Sequence, residues 1–177
     1  MRDMLKMGTR LLIICAVAGL CLAGTYGFTN PQIKAQEAEK QAQAYRSLFA
    51  QAVSFDQAQY DAAAHPTVNE VVAAKDASGT VLGYCINVTA KGYKGNIILN
   101  MGVDTAGVMT GLVVGSHSET QGLGAKIAEP AFSDQFTGKQ APLTLGQEIE
   151  AISGATISSR AVTAAVNAGA QCAASLQ

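Results

Sequence analysis

Leu11 to Phe28 is a run without a charged residue, rich in Leu and Ile at its start and in Gly and Ala after that. As a helix it rises about 27 Å, close to the roughly 30 Å hydrocarbon core of a bilayer. Arg2, Lys6 and Arg10 precede it, and no Lys or Arg follows until Lys34. The positive-inside bias therefore predicts residues 1–10 in the cytoplasm and everything beyond Phe28 outside it. A cleaved signal peptide has a similar apolar length. However, Leu20 precedes Cys21 where a lipoprotein signal carries a small residue, and no small-x-small site is followed by a disordered start. The run is read as an uncleaved anchor over 11–28.

After Phe28 the pattern changes. Asn30-Pro31 to Ala52 predicts a helix, with Pro31 at the first turn and Ala, Gln, Glu and Lys after it. Its apolar positions, Ile33, Leu48, Phe49 and Val53, lie near the two ends, so residues 29–55 read as a stalk that docks by its C-terminal end. Asp56 to Thr67 is irregular. Glu70 to Lys75 and Thr80 to Thr89 are Val-rich strands around the turn Asp76-Ala77-Ser78-Gly79. Asn96 to Val103 and Val108 to Val114 are two more, around Asp104-Thr105-Ala106-Gly107. Gly115 to Gly124 reads as a loop, Ala131 to Gln135 as a short helix, and Gln147 to Ile152 as a last strand. Ile157 to Ala174 completes the chain as an alanine-rich helix. The fold class expected is α+β. A single N-terminal transmembrane helix leads to a mainly antiparallel sheet with flanking helices, the domain occupying 56–177.

The length, 177 residues, suits one domain plus an anchor, and the hydrophobic share of 49% is ample for a core. A net charge of −1 excludes an electrostatic nucleic-acid footprint. From Thr29 onward nine Lys or Arg face twelve Asp or Glu, an ordinary solvated surface. The four cysteines form no C-x-x-C pair, which excludes zinc-finger and thioredoxin-like spacing. Cys85 and Cys172 read as buried thiols, with a disulfide between them as the alternative.

Candidate chemistry centres on Ile152-Ser153-Gly154-Ala155-Thr156-Ile157-Ser158-Ser159. Here Thr156 falls at the start of the last helix, where unpaired N–H groups and the positive end of the helix dipole favour a phosphate. Gly154 and Ala155 leave space for a bulky group to approach the backbone. Taken alone, such a stretch is more often a helix cap than a site. A second stretch changes this, Ser116-His117-Ser118-Glu119-Thr120-Gln121-Gly122-Leu123-Gly124. Together the two resemble the flavin-binding domain of the G subunit of the Rnf, or SoxR-reducing, electron-transport complex. The C subunit of the sodium-pumping NADH:quinone reductase is a cousin of that family. The Gly92-Tyr93-Lys94-Gly95 loop and the Asp104-x-x-Gly107 hairpin also resemble it.

The resemblance implies an FMN joined through its phosphate to a threonine hydroxyl, here Thr156, preceded by Ser153, Gly154 and Ala155. Glu150 stands where the family has Asp, and Gln121 where it has Pro. In the implied site Gly122 and Gly124 admit the flat ring, Leu123 presses on one face, and Glu119 and Thr120 bond ring or ribityl atoms. Ser158 and Ser159 bond the phosphate or cap the helix. His117 and Lys126 are further candidates, the lysine for balancing charge. No metal site is implied. A non-covalent site of about micromolar strength is worth roughly 8 kcal/mol; outside the cytoplasm, where free flavin is scarce, mass action would empty it, and a phosphoester avoids that loss. The implied function is electron transfer within a membrane complex that couples ferredoxin–NAD electron flow to Na+ or H+ translocation. The implied partners are integral-membrane subunits and a Mg-dependent flavin transferase that draws FMN from FAD. Two other readings stand beside it: an independent membrane-anchored extracytoplasmic flavoprotein serving another reductase, and a non-redox anchored binding domain.

Overall fold

The computed structural model describes residues 2–176, but not the side chains of residues 2–5 and 34. Arg2 and Lys34, which bound the charge pattern of the anchor, are among those side chains. The chain forms two compact units, residues 1–40 and 41–177.

The first unit is helix. α1 runs without a break from Arg2 to Leu48, so the anchor and stalk expected as two helices are one. Pro31 lies inside it and withholds an N–H from the carbonyl of Gly27. In the preceding turns Thr25 Oγ1 donates to the Cys21 carbonyl and Thr29 Oγ1 to that of Thr25, both at 2.8 Å. Leu11, Leu12, Ile14, Leu20 and Leu22 are all more than half exposed. The helix is long and apolar enough to cross a membrane, with a mean hydropathy of 2.1 over its most apolar window.

The second unit is built on a five-stranded antiparallel sheet in simple meander order. Its strands are β1 (Ser54–Gln57), β2 (Val68–Lys75), β3 (Val81–Lys91), β4 (Asn96–Asp104) and β5 (Met109–His117). β1 lies where irregular chain was expected. Ser-Phe-Asp-Gln carries no alternation, and the strand exists because it edges β2 in register, with Lys75 paired to Asp56 at 2.8 Å.

The two faces of the sheet are filled differently. On one, Val71, Ile86, Val88, Ile97, Leu99 and Met101 pack against α3 (Thr156–Ala174) through Val162, Val166 and Cys172. At Gly169 the helix comes so close that a Cβ there would meet Met101 Sδ at 2.5 Å. On the other face Tyr45, Leu48 and Phe49, from the end of α1 and just beyond it, bury against Val72, Ala74 and Cys85. Gly83, Gly102 and Gly111 make room for these side chains. Gln41 Nε2 and Tyr45 Oη donate to Glu70 at 2.6 and 3.2 Å, and burial pushes the Tyr45 hydroxyl's pKa up. Further along this face an amide ladder links Asn69, Asn87 and Asn100.

After β5 come a 3-10 turn (Gly124–Ala128), α2 (Pro130–Ser133) and a second 3-10 turn (Asp134–Phe136). The strand expected over Gln147 to Ile152 does not form. The Thr144 carbonyl accepts N–H groups from Gln147, Glu148 and Ile149, which curls the segment. Only a single bridge, Leu145 to Ile149, remains, with Ile149 fully buried as its anchor. Cys85 and Cys172 are both buried free thiols, and burial raises both pKa values, that of Cys85 to about 12.

Candidate functional site

One cavity of about 440 Å³ opens at the N-terminal end of α3, within the range of small-molecule sites, about 300–1,000 Å³. Three separate segments line it: Tyr93 from the β3–β4 loop, Glu119, Thr120, Leu123 and Gly124 after β5, and Gly154 to Ser158 from the entry to α3. The fold brings them together because β3, β4 and β5 are neighbours and α3 packs across β3 and β4.

The entry to α3 is a turn at Ser153-Gly154, closed by Ala155 N–H to the Ile152 carbonyl at 2.9 Å. Gly154 takes a φ of 77°, a conformation that favours glycine. It also passes near Leu123, whose Cδ2 would stand 3.2 Å from an added Cβ. Ala155 occupies the N-cap position, and no side chain caps the helix. The N–H groups of Thr156, Ile157 and Ser158 therefore have no intrahelical acceptor and carry the positive end of the dipole.

The hydroxyls here divide sharply. Ser159 Oγ accepts the Ile152 N–H at 3.1 Å and donates to the Ala155 carbonyl. Ser158 Oγ donates to Glu119 Oε2 in a short hydrogen bond. Ser153 is exposed outside the cavity lining. Thr156 is exposed, lines the cavity, and has no hydrogen-bond partner among the described residues.

Glu119 is only 5% exposed. Burial opposes its ionisation, yet the Ser158 hydroxyl, the backbone N–H groups of Lys94 and Tyr93, and the charge field of His117 together hold its carboxyl below the usual range. Lys94 N–H donates to Oε1 at 2.9 Å. Thr120 and Leu123 line the cavity, and the Thr120 carbonyl accepts the N–H groups of Leu123 and Ala125.

Not every expected residue arrives. Gly122, at a φ of 75°, shapes the turn outside the lining. Lys126 points to solvent from the 3-10 turn. Glu150 is exposed away from the cavity, its backbone N–H donating to Gln135 Oε1 at 2.7 Å. His117 closes β5 beside the site, with Nδ1 buried and unpartnered among the described residues. Tyr93 and Ile157 are lining residues that sequence reasoning did not single out. Both are large apolar groups left more than half exposed, at 67% and 56%. The signal for Ile157 was an isolated apolar residue beside the threonine at a helix start. Among the described residues no His/Cys/Asp/Glu cluster could hold a metal.

The family model described as RnfG N-terminal region matches residues 1–48, and that described as FMN-binding domain matches residues 92–171. The chain is 36% identical over 174 residues to the G subunit of the ion-translocating oxidoreductase complex of Methanosarcina acetivorans, covering 94% of this chain and 92% of that one. It is 32% identical to the G subunit of the Na(+)-translocating ferredoxin:NAD(+) oxidoreductase complex of Acetobacterium woodii, with 92% and 87% covered. Among solved structures, the C subunit of the Na(+)-translocating NADH-quinone reductase from Parabacteroides distasonis shares the fold, at a TM-score of 0.57 and 21% identity, over 78% of this chain and 90% of that one.

Proposed function

The chain belongs to the G-subunit family of Rnf-type ion-translocating oxidoreductase complexes, and from that premise we propose that it carries FMN as a phosphoester on Thr156 and relays electrons through it. The observation that carries this reading is the free Thr156 hydroxyl. In the Ser153–Ser159 stretch it alone both faces the cavity and lacks an internal partner.

The residues fit the group. The uncapped N–H groups of Thr156 to Ser158 suit the single negative charge of the phosphodiester. Gly154 and Gly124 keep the floor of the cavity low, and Tyr93, Leu123 and Ile157 offer apolar surface to a flat ring and exclude water from it. Bound FMN supplies the reversible electron chemistry. In maturation Thr156 is the acceptor: its oxygen takes the phosphate of FMN from FAD, AMP leaves, and the hydroxyl proton passes to a base of a separate flavin transferase. The proposed setting is the cytoplasmic membrane, with residues 1–10 inside and the flavin domain outside, among integral-membrane subunits of the complex.

Peptide mass mapping of protein from its native host tests the reading. An FMN-sized increase is expected on the peptide containing Thr156, and an unmodified peptide would overturn it.

A further inference from the structure

Glu119 sits at the meeting point of the three segments that make the cavity, yet its oxygens are turned into the protein. Oε1 accepts from the Lys94 N–H at 2.9 Å. Oε2 accepts from the Ser158 hydroxyl in the first turn of α3. Two glycines leave just enough space for this. A Cβ at Gly92 would stand 2.6 Å from Oε1, and one at Gly124 would stand 2.5 Å from Oε2. A carboxylate so enclosed has its acceptor capacity directed at the chain itself.

We propose that Glu119 is a positioning residue of the flavin site: it ties the Tyr93 loop to the first turn of α3 and so sets the stance of the Tyr93 ring against the cofactor. The proposal deepens the function argued above and rests on it. Hydrogen bonds to an ionised acceptor are the strong ones. Two of them, from the Lys94 N–H and the Ser158 hydroxyl, converge from two segments and set the width of the cavity between the Tyr93 loop and the start of α3. The Tyr93 side chain is 67% exposed, so the backbone anchor beside it at Lys94 weighs heavily on where the ring stands. Glutamine at 119 keeps the size but removes the charge: its oxygen still accepts from the Lys94 N–H and its NH2 meets the Ser158 hydroxyl as a donor, so both contacts become neutral, weaker hydrogen bonds.

The test uses the full-length chain in detergent, co-expressed with a flavin transferase, as wild type, Glu119→Gln, Ser158→Ala and Thr156→Val. Two quantities are read: amide hydrogen exchange over residues 92–95, and flavin fluorescence per attached flavin, which a tyrosine ring in contact quenches. Glu119→Gln is expected to speed exchange at Tyr93 and Lys94 by about tenfold or more, as for loss of a charge-assisted hydrogen bond, and to raise fluorescence per flavin. Ser158→Ala, which deletes one donor and leaves the carboxylate, is expected to move both readouts the same way by less. It decides the matter if the Gln variant does not fold. Unchanged exchange overturns the tie between the walls. Faster exchange with unchanged fluorescence overturns the positioning of Tyr93. Flavin retained by Thr156→Val instead sinks the attachment reading, while the exchange measurement, which needs no flavin, still judges Glu119.

Discussion

Over residues 6–40, α1 turns its Leu, Ile and Val side chains outward on every side, whereas α3 is built mainly of Ala, Ser, Thr and Gly and hides one face completely. The most apolar stretch of α1 is the exposed one. Bulk apolar residues around a whole circumference have no protein surface to satisfy them and call for lipid. Small residues permit close approach to a sheet, and closeness is what fixes the start of α3 in space. At Gly169 the approach to Met101 leaves no room for another carbon. That contact lies several turns from Thr156, but it belongs to the same rigid element. One helix thus works through its surface, the other through the placement of its first residue.

The sharpest way to probe this contrast is Thr156→Val. Attached flavin is expected to vanish entirely, read as in-gel fluorescence after denaturing electrophoresis. The thermal midpoint should hardly move, since exposed substitutions usually stay within about 0.5 kcal/mol. Next in size is deletion of residues 2–40. The remaining unit, 41–177, is expected to leave the membrane fraction while keeping its melting profile; aggregation or a lost transition would show that the two units are not separable. Gly169→Val probes the packing side of the comparison. Overpacking against Met101 is expected to cost about 1–3 kcal/mol, visible in chemical denaturation, and an unchanged midpoint would break the close-approach argument. The smallest effect is in pH. Glu119 titrates below its unfolded value of about 4.3. Its stabilisation is therefore present above that value and is lost as pH falls through the lower folded one. The difference in melting temperature between wild type and Glu119→Gln should shrink as pH drops below about 4.

Much of this was legible in the chain because it rests on local pattern. The apolar run, the two Asp-x-x-Gly hairpins and the alanine-rich last helix are each written in consecutive residues. The place of Thr156 at a helix start could be read from Gly154 and the hydroxyls around it. Other features depend on pairing at a distance. β1 is a strand only because β2 lies beside it. Gln147 to Ile152 was expected as a strand but has one fully buried anchor, Ile149, and the Thr144 carbonyl curls it. Pro31 read as a helix start, whereas the helix passes through it, with threonines bonding back to carbonyls in the turns before it. Glu119 read as a group facing the ring, whereas Ser158, 39 positions later, claims one oxygen. No local pattern could report that bond, because the partner reaches the carboxylate only once α3 has docked.

The sheet is a simple meander, and Thr156, the acceptor proposed above, lies beyond its last strand, at the start of α3. A growing polypeptide can therefore complete every strand and still offer no place to attach a prosthetic group. On the attachment proposed above, a product cut short by a premature stop before residue 156 stays colourless, however well its hairpins have formed.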